Sequence, residues 1–430
     1  MRIHRTSIVV ASALIVASIA AGSPASALRA RYIPTPGWDN ERLWSRTTDD
    51  WEPALAADPS SSLAYQLAVR YGGRACPKCP HIKIMLRRSP DAGATWGREH
   101  YLCRCKGKNG QYDPQIEISD DGTVFATWLQ GYTPGVTFSK STDHGRTWTK
   151  PVHMDVGWSD KPVLQVSPDG KDVYIAFNGP SKGDSYVGVS HDGGGHFTTA
   201  RVTKNNRYYF AGGGFVAPDG NVTFAEVNDN QDYTGKIQVY ALSSSDGGST
   251  WHNVRVDVVK RQPDCTSAGC YDGFYGSVPA LAGDANGDLA IVYVGARVSK
   301  GPQTTYVRRS TDGGLTWSDR VRISPRGANA VSPTAVGAGP GDIRVWFMDD
   351  RTGRFNVWYR SSTDGGVTWS QPARLSNAIA GPPYVGPRGF VEIYGDYGEI
   401  DVTNDGHTIA TWGEGPSFNG PGGVWFNRSL

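Results

Sequence analysis

The sequence predicts an all-β protein built as a β-propeller, seven blades favoured and six the alternative, with the ring closed by an N-terminal strand. One phrase of eight residues recurs six times: SPDAGATW from Ser89, STDHGRTW from Ser141, SHDGGGHF from Ser190, SSDGGSTW from Ser244, STDGGLTW from Ser310 and STDGGVTW from Ser362. Its aspartates stand at 91, 143, 192, 246, 312 and 364, at intervals of 52, 49, 54, 66 and 52 residues. Repetition at such a period marks radial or solenoid architectures. Composition agrees, since 54 glycines, 14 tryptophans and 20 tyrosines in 430 residues suit strands joined by tight turns.

The first 27 residues read as a secretory signal. Arg2, His4 and Arg5 form a basic start, residues 7–22 a mostly apolar core, and Ala25-Ser26-Ala27 a small-residue cleavage site. The remaining residues, 28–430, are expected to form one propeller domain outside the cell. Without the signal, 41 lysines and arginines balance 41 aspartates and glutamates. Such neutrality argues against electrostatic capture of nucleic acid or of an anionic membrane. A monomer is expected.

Each blade is expected to begin with a hairpin. PVLQVSPDGKDVYIAF (162–177), GGFVAPDGNVTFAEV (213–227) and SPTAVGAGPGDIRVWF (332–347) each place a Gly-containing turn between two runs of β-branched and aromatic residues. The unit first appears at 53–71, then near Pro114, Pro162, Gly212, Ser277, Ser332 and Tyr394. The seventh copy, 394–412, is followed by a third strand in GGVWFNRSL and by no further phrase. Residues 42–46 are expected to supply its missing fourth strand, which would protect the sheet edges.

Within the phrase, Asp followed by x-Gly is turn chemistry. The carboxylate can accept nearby N–H groups, Gly tolerates φ > 0, and the closing Trp anchors the hairpin. A carboxylate repeated in every unit serves the fold of that unit rather than catalysis. The phrase resembles the Asp box of the sialidase superfamily, and it runs through most of the chain. That resemblance implies a turn between the third and fourth strands of each blade, on the face away from substrate. It also implies an exo-α-sialidase-like glycoside hydrolase.

The six cysteines fall as Cys76 and Cys79, Cys103 and Cys105, and Cys265 and Cys270. In an exported chain the first four read as two disulfides, with zinc at Cys76/Cys79/Cys103/Cys105 the minority reading. Cys265 and Cys270 are expected to staple a loop. Residues 284–288 (DANGD) are similar to a calcium loop, so a structural calcium stays open, although a plain turn explains them; no cofactor is required. His81 is the histidine best placed to act as a base.

Substrate should meet the starts of first strands and the loops after second strands. These hold Trp51/Glu52, Tyr112/Asp113, Asp160/Lys161, Tyr208/Tyr209, Tyr271/Asp272 and the 388–396 segment, with Arg74, Asp229, Arg297, Asp349 to Arg351 and Glu414 on loops. Aromatic faces beside charged groups suit a sugar site. Glu392, Tyr394 and Asp396 alternate, so in a strand they would share one face.

What the resemblance implies can be carried onto these positions. Tyr394 would be the nucleophile, Glu392 its activating carboxylate, and Asp113 or Asp160 the acid/base, since sialidases depart from the two-carboxylate scheme. Arg297, Arg351 and Arg388 would bind a substrate carboxylate by bidentate pairing. Tyr275, Asp272 and Glu414 complete the expected substrate-binding set. The expected partner is therefore a glycan or polysaccharide bearing an acidic sugar. A polysaccharide lyase and a non-catalytic glycan- or protein-binding propeller are the alternatives.

Overall fold

The computed structural model describes residues 30–72, 81–105, 109–229, 236–266, 269–276 and 278–430. Among these the chain is all strand and turn apart from one short 3-10 turn, Asp272–Tyr275. No described helix is long and apolar enough to cross a membrane. The signal segment, Cys76, Cys79 and Arg74 lie outside the described residues, as does the side chain of Asp229.

The strands fall into antiparallel four-stranded units. The first unit is Asp49–Ala57, Ala64–Tyr71, Ile82–Ser89 and His100–Tyr101. The second starts at Gln111–Ile118, the third at Asp160–Val166, the fourth at Tyr208–Val216, the fifth at Pro279–Gly283 and the sixth at Ala330–Gly337. In each, the strands pair in chain order. One residue pair, Lys260 with Ala296, joins the fourth unit to the fifth. The last unit runs Glu399–Val402, Thr408–Gly415 and Gly423–Arg428, and Arg42–Leu43 pairs with Phe426 and Trp425 on its outer edge.

First strands lie side by side in the order of the chain, and Glu399–Val402 packs against both Ala330–Gly337 and Asp49–Ala57. They line an axial cavity of about 170 Å³, into which Gln115, Glu117, Gln165, Glu399 and Asp401 face. The apolar core lies between neighbouring sheets. Phe125 and Phe138 of the second unit meet Leu164 and Ile175 of the third, for example. Similarly, Leu55 and Ala64 of the first meet Ile409 and Phe426 of the last. Because strands such as Val173–Asn178 are buried on both faces, they read as continuous apolar runs rather than alternating ones.

All six Asp boxes lie where the third strand turns into the fourth. In the last of them, Ser362 Oγ donates to Asp364 Oδ1 at 2.7 Å and accepts Gly366 N–H at 2.8 Å. The same carboxylate accepts Thr368 N–H at 2.8 Å and Thr368 Oγ1–H at 2.6 Å. These bonds, the Thr368 hydroxyl first, hold the Asp364 carboxyl down at about 2. In the divergent third copy His196 replaces the threonine, and its Nδ1 lies 2.6 Å from Asp192 Oδ2. The glycine is required at this turn. Gly194 has φ +83°, and a Cβ there would stand 2.1 Å from Phe138 Cε1.

One local expectation is corrected. Glu392, Tyr394 and Asp396 do not run along one strand: Glu392–Ile393 is a two-residue strand paired with Glu414 and Gly415, and the first strand of the last unit begins only at Glu399. Gly395, at φ +84°, turns the chain between them. The fourth strand of the first unit is His100–Tyr101; Cys103 and Cys105 follow it and are bonded to each other, in keeping with the disulfide reading rather than with zinc.

Substituting Gly194→Ala should destabilise the fold by about 2–4 kcal/mol, through a left-handed backbone and a collision with a buried ring. Urea unfolding checks this, and an unchanged midpoint would remove the steric role of the box glycine.

Candidate active site

Four of the first strands share a local device, and in three of them it carries a charged residue. Glu52, Asp113, Lys161 and Ser332 each precede a proline and each adopt a left-handed backbone, with φ of 47°, 49°, 45° and 47°. Strand pairing slips at each of these places, between Trp51 and Ala54, Tyr112 and Gln115, Asp160 and Val163, and Val331 and Thr334. A left-handed non-glycine residue costs on the order of 1–3 kcal/mol, and such strain gathers at functional sites. The bulge re-aims side chains that a regular pleat would place elsewhere.

The result is a cluster of buried acids around one ammonium. Carboxylate oxygens of Glu52, Asp113 and Asp396 lie within 4.8 Å of one another. Glu52 accepts Trp51 Nε1–H at 2.8 Å through Oε1 and Asp113 N–H at 2.8 Å through Oε2. Asp160 Oδ1 accepts Lys161 N–H at 3.0 Å. Lys161 Nζ sits 3.0 Å from the centre of the Tyr397 ring.

Burial dominates the ionisation of this group. Burial, then the Asp113 and Asp396 charges, pushes the Asp160 carboxyl up to about 8. Burial and then Asp113 push Asp396 up to about 7. The carboxyls of Glu52 and Asp113 are raised for the same first reason, and the Lys161 ammonium is lowered by burial against the pull of the acids around it. Oxygens so spaced would fit one calcium ion. Lys161 already supplies positive charge to the same group, so the arrangement is a proton-sharing acid cluster.

A second constellation stands at the same end of the sheets. Tyr275 Oη donates to Glu392 Oε1, and both side chains are buried. Gln303 Nε2 holds the Tyr275 carbonyl at 2.6 Å. Tyr394 is paired differently, its Oη donating to Asp49 Oδ1 at 2.5 Å while its ring meets Trp51 edge-on at 4.5 Å.

The other expected residues have distinct settings. Asp272 accepts Cys265 N–H at 2.8 Å and so braces the Cys265–Cys270 disulfide loop. Arg351 forms a bidentate pair with Asp349, at 2.8 and 2.6 Å, and lies 4.0 Å from the centre of the Trp358 ring. Arg388 lines a cavity with Arg354 and residues 383–387. Arg297 is exposed after the second strand of the fifth unit. Glu414 is fully buried against the closing N-terminal segment, where burial pushes its carboxyl up to about 8 and Glu41 is its acidic neighbour. At residues 284–288, Asp284 accepts the N–H groups of Asn286 and Asp288, as in an ordinary turn. Sequence reasoning placed Glu52, Lys161 and Asp396 among the substrate-facing positions without giving them a role, and it left out Tyr397. The recurring residue-proline step at 52–53, 113–114, 161–162 and 332–333 was the signal available for the first two.

No protein-family model matches the chain. The sialidase of Micromonospora viridifaciens is 24% identical over 378 residues, covering 78% of this chain and 56% of that protein. The sialidase of Bacteroides fragilis (strain YCH46) is 24% identical over 314 residues, covering 63% of this chain and 54% of that protein. The chain spans about half the length of the curated relatives it matches. Among solved structures, an ulvan lyase, a polysaccharide lyase bound to -[GlcA(1-4)Rha3S]-, shares the fold with a TM-score of 0.53 at 12% identity, over 91% of this chain and 95% of that one. The fold is sialidase-like, and over most of its length the chain is similar in sequence to sialidases.

The folded cluster holds protons that an unfolded chain releases above about pH 4. The cluster's contribution to stability is therefore complete only below about pH 4 and is lost as pH rises to the folded values, about 7 for Asp396 and about 8 for Asp160. Urea unfolding at pH 5 and pH 8 should show this loss, and Asp396→Asn should lose less between the two. An equal or steeper loss in the variant would contradict the proton-sharing cluster.

Proposed function

We propose that this chain is an exported, monomeric, sialidase-like glycoside hydrolase that cleaves an acidic sugar from a glycan or polysaccharide. We infer also that residues 28–430 form one propeller of seven units, with Arg42–Leu43 as the outer strand of the last. The packing of Glu399–Val402 against both of its neighbouring first strands supports that count.

The observation that carries the functional reading is the acid cluster at the end of the sheets that also holds Tyr275 and Glu392. An acid with a folded pKa near 8 keeps its proton at neutral pH, and general acids work best when matched to the operating pH. In this reading Asp160 or its neighbour Asp113 donates a proton to the departing glycosidic oxygen. Glu392 takes the proton of Tyr275, whose phenolate oxygen attacks the anomeric carbon. Water, deprotonated by the same aspartate, then releases the sugar and frees the tyrosine, with Glu392 returning its proton. Arg388 and its neighbours in the sixth unit hold the substrate carboxylate.

Incubation with sialosides, neutral aryl glycosides and uronate polysaccharides tests this. Released reducing sugar supports hydrolysis, whereas absorbance from unsaturated ends, or binding with no product, overturns it. Asp160→Asn should lower kcat by about 10²–10⁴-fold and remove the alkaline limb of the pH–rate profile. Tyr275→Phe should abolish burst-phase accumulation of a glycosyl-enzyme.

A further inference from the structure

The N-terminal segment that edges the last sheet carries a buried acid at its centre. Glu41 is 1% exposed and directly precedes Arg42–Leu43, the outer strand of the last unit. Its Oε1 accepts Ala378 N–H at 2.6 Å, and its own N–H donates to Asn377 Oδ1 at 3.0 Å. Asn377 Nδ2 in turn donates to the Asp39 carbonyl at 2.8 Å. A second acid meets it there. Glu414, also 1% exposed, comes from the second strand of the last unit and accepts Trp412 Nε1–H at 2.8 Å through Oε1.

Each of these carboxyls leaves its other oxygen, Oε2, buried without a hydrogen-bond donor. For two carboxylates that is costly, whereas one protonated carboxyl has a donor to offer its neighbour. Charge balance points the same way. Arg374 is the cation whose field reaches both acids, but its donors are used elsewhere. Its Nε donates to the Ser376 carbonyl at 2.7 Å and its Nη1 to the Pro387 carbonyl at 3.4 Å, while Nη2 has no partner. One positive charge offsets one carboxylate, and the other carboxyl keeps its proton. Tyr384 lies beside both acids and Tyr32 beside Glu41, and burial pushes each phenol up, so both stay neutral. Arg46 acts on those two phenols, and Arg42 is paired with Asp39 at 2.7 Å.

We propose that Glu41 and Glu414 form a pH-sensitive latch on the N-terminal segment. While the segment is seated, the pair holds one proton. Losing it sets two negative charges against one arginine in a buried space, and the segment releases. Release uncovers the outer edge of Gly423–Arg428, which Arg42–Leu43 otherwise pairs. Burial, then the Glu414 charge, raises the Glu41 carboxyl well above the usual carboxylate range, and burial pushes Glu414 up to about 8. Both values exceed the unfolded one near 4, so the latch is at full strength below about pH 4 and is lost as pH rises to about 8. It operates whether or not the protein is an enzyme.

Hydrogen–deuterium exchange of residues 38–46, read by mass spectrometry from pH 5 to pH 9, provides the test. Rates are divided by the intrinsic exchange rate at each pH, and Val173–Asn178 of the third unit serves as internal control. In the parent, protection of 38–46 should fall about tenfold per pH unit up to about pH 8 and level off above it, as release of one proton requires. Glu41→Gln and Glu414→Gln each supply the donor that the shared proton supplied. Each should therefore keep protection within about twofold across the range. Arg374→Gln, which removes the balancing charge, should move the fall to higher pH. A parent whose protection at 38–46 ignores pH, or falls together with that of Val173–Asn178, overturns the latch. So does a parent-like slope in a folded glutamine variant of either acid, and, if neither of those folds, an unmoved fall in Arg374→Gln.

Discussion

The left-handed residues ahead of Pro53, Pro114 and Pro162 govern where this protein keeps its buried charge. In a regular strand Glu52, Asp113 and Lys161 would follow the pleat, and successive side chains would point to opposite faces. Held left-handed ahead of Pro53, Pro114 and Pro162, they break the strand register, and the Glu52 and Asp113 carboxylates come together. Proline pushes its predecessor toward extended backbone with negative φ, so the left-handed conformation runs against the local preference and has to be held by the packing around it. It persists because the flanking strands are hydrogen-bonded to their neighbours and buried on both faces.

The same geometry sets the chemistry. Acids brought together in a buried space cannot all ionise, and a single lysine cannot balance them. They hold protons at pH values where isolated carboxyls have none. Burial contributes more than mutual repulsion for both Asp160 and Asp396, so how deeply the acids are buried matters more than their number. The Asp boxes show the opposite regime. There exposed carboxylates, each tied to a serine hydroxyl, stay ionised because hydrogen bonds favour the charged form. One residue type thus serves as a rigid turn at one end of the molecule and a proton reservoir at the other.

Much of the fold was legible because it is written locally. Ser-x-Asp-x-Gly-x-Thr-Trp describes a turn whose hydrogen bonds span only four residues, as between Asp364 and Thr368, so sequence and structure coincide there. The site was legible only in part. Asp113, Asp160, Tyr275 and Glu392 could be named from their places at the starts of strands and in loops, but their pairings could not. Tyr394 follows Glu392 by two residues and still bonds to Asp49, whereas Tyr275, 117 residues away, reaches Glu392. A bend at Gly395 and the arrival of the disulfide-stapled loop decide this, and neither leaves a periodic trace.

By itself the sequence determined the strand-turn units, their repetition, the end of each unit that carries the Asp box, and the set of polar residues left for the other end. Those properties depend on short-range preferences, chiefly glycine at left-handed turns and apolar runs in strands buried on both faces. Tertiary structure alone decided which carboxyls share protons and which tyrosine meets the glutamate. Each of these needs groups from separate units to converge on one axis. Such convergence is set by how the sheets pack face to face, not by spacing along the chain.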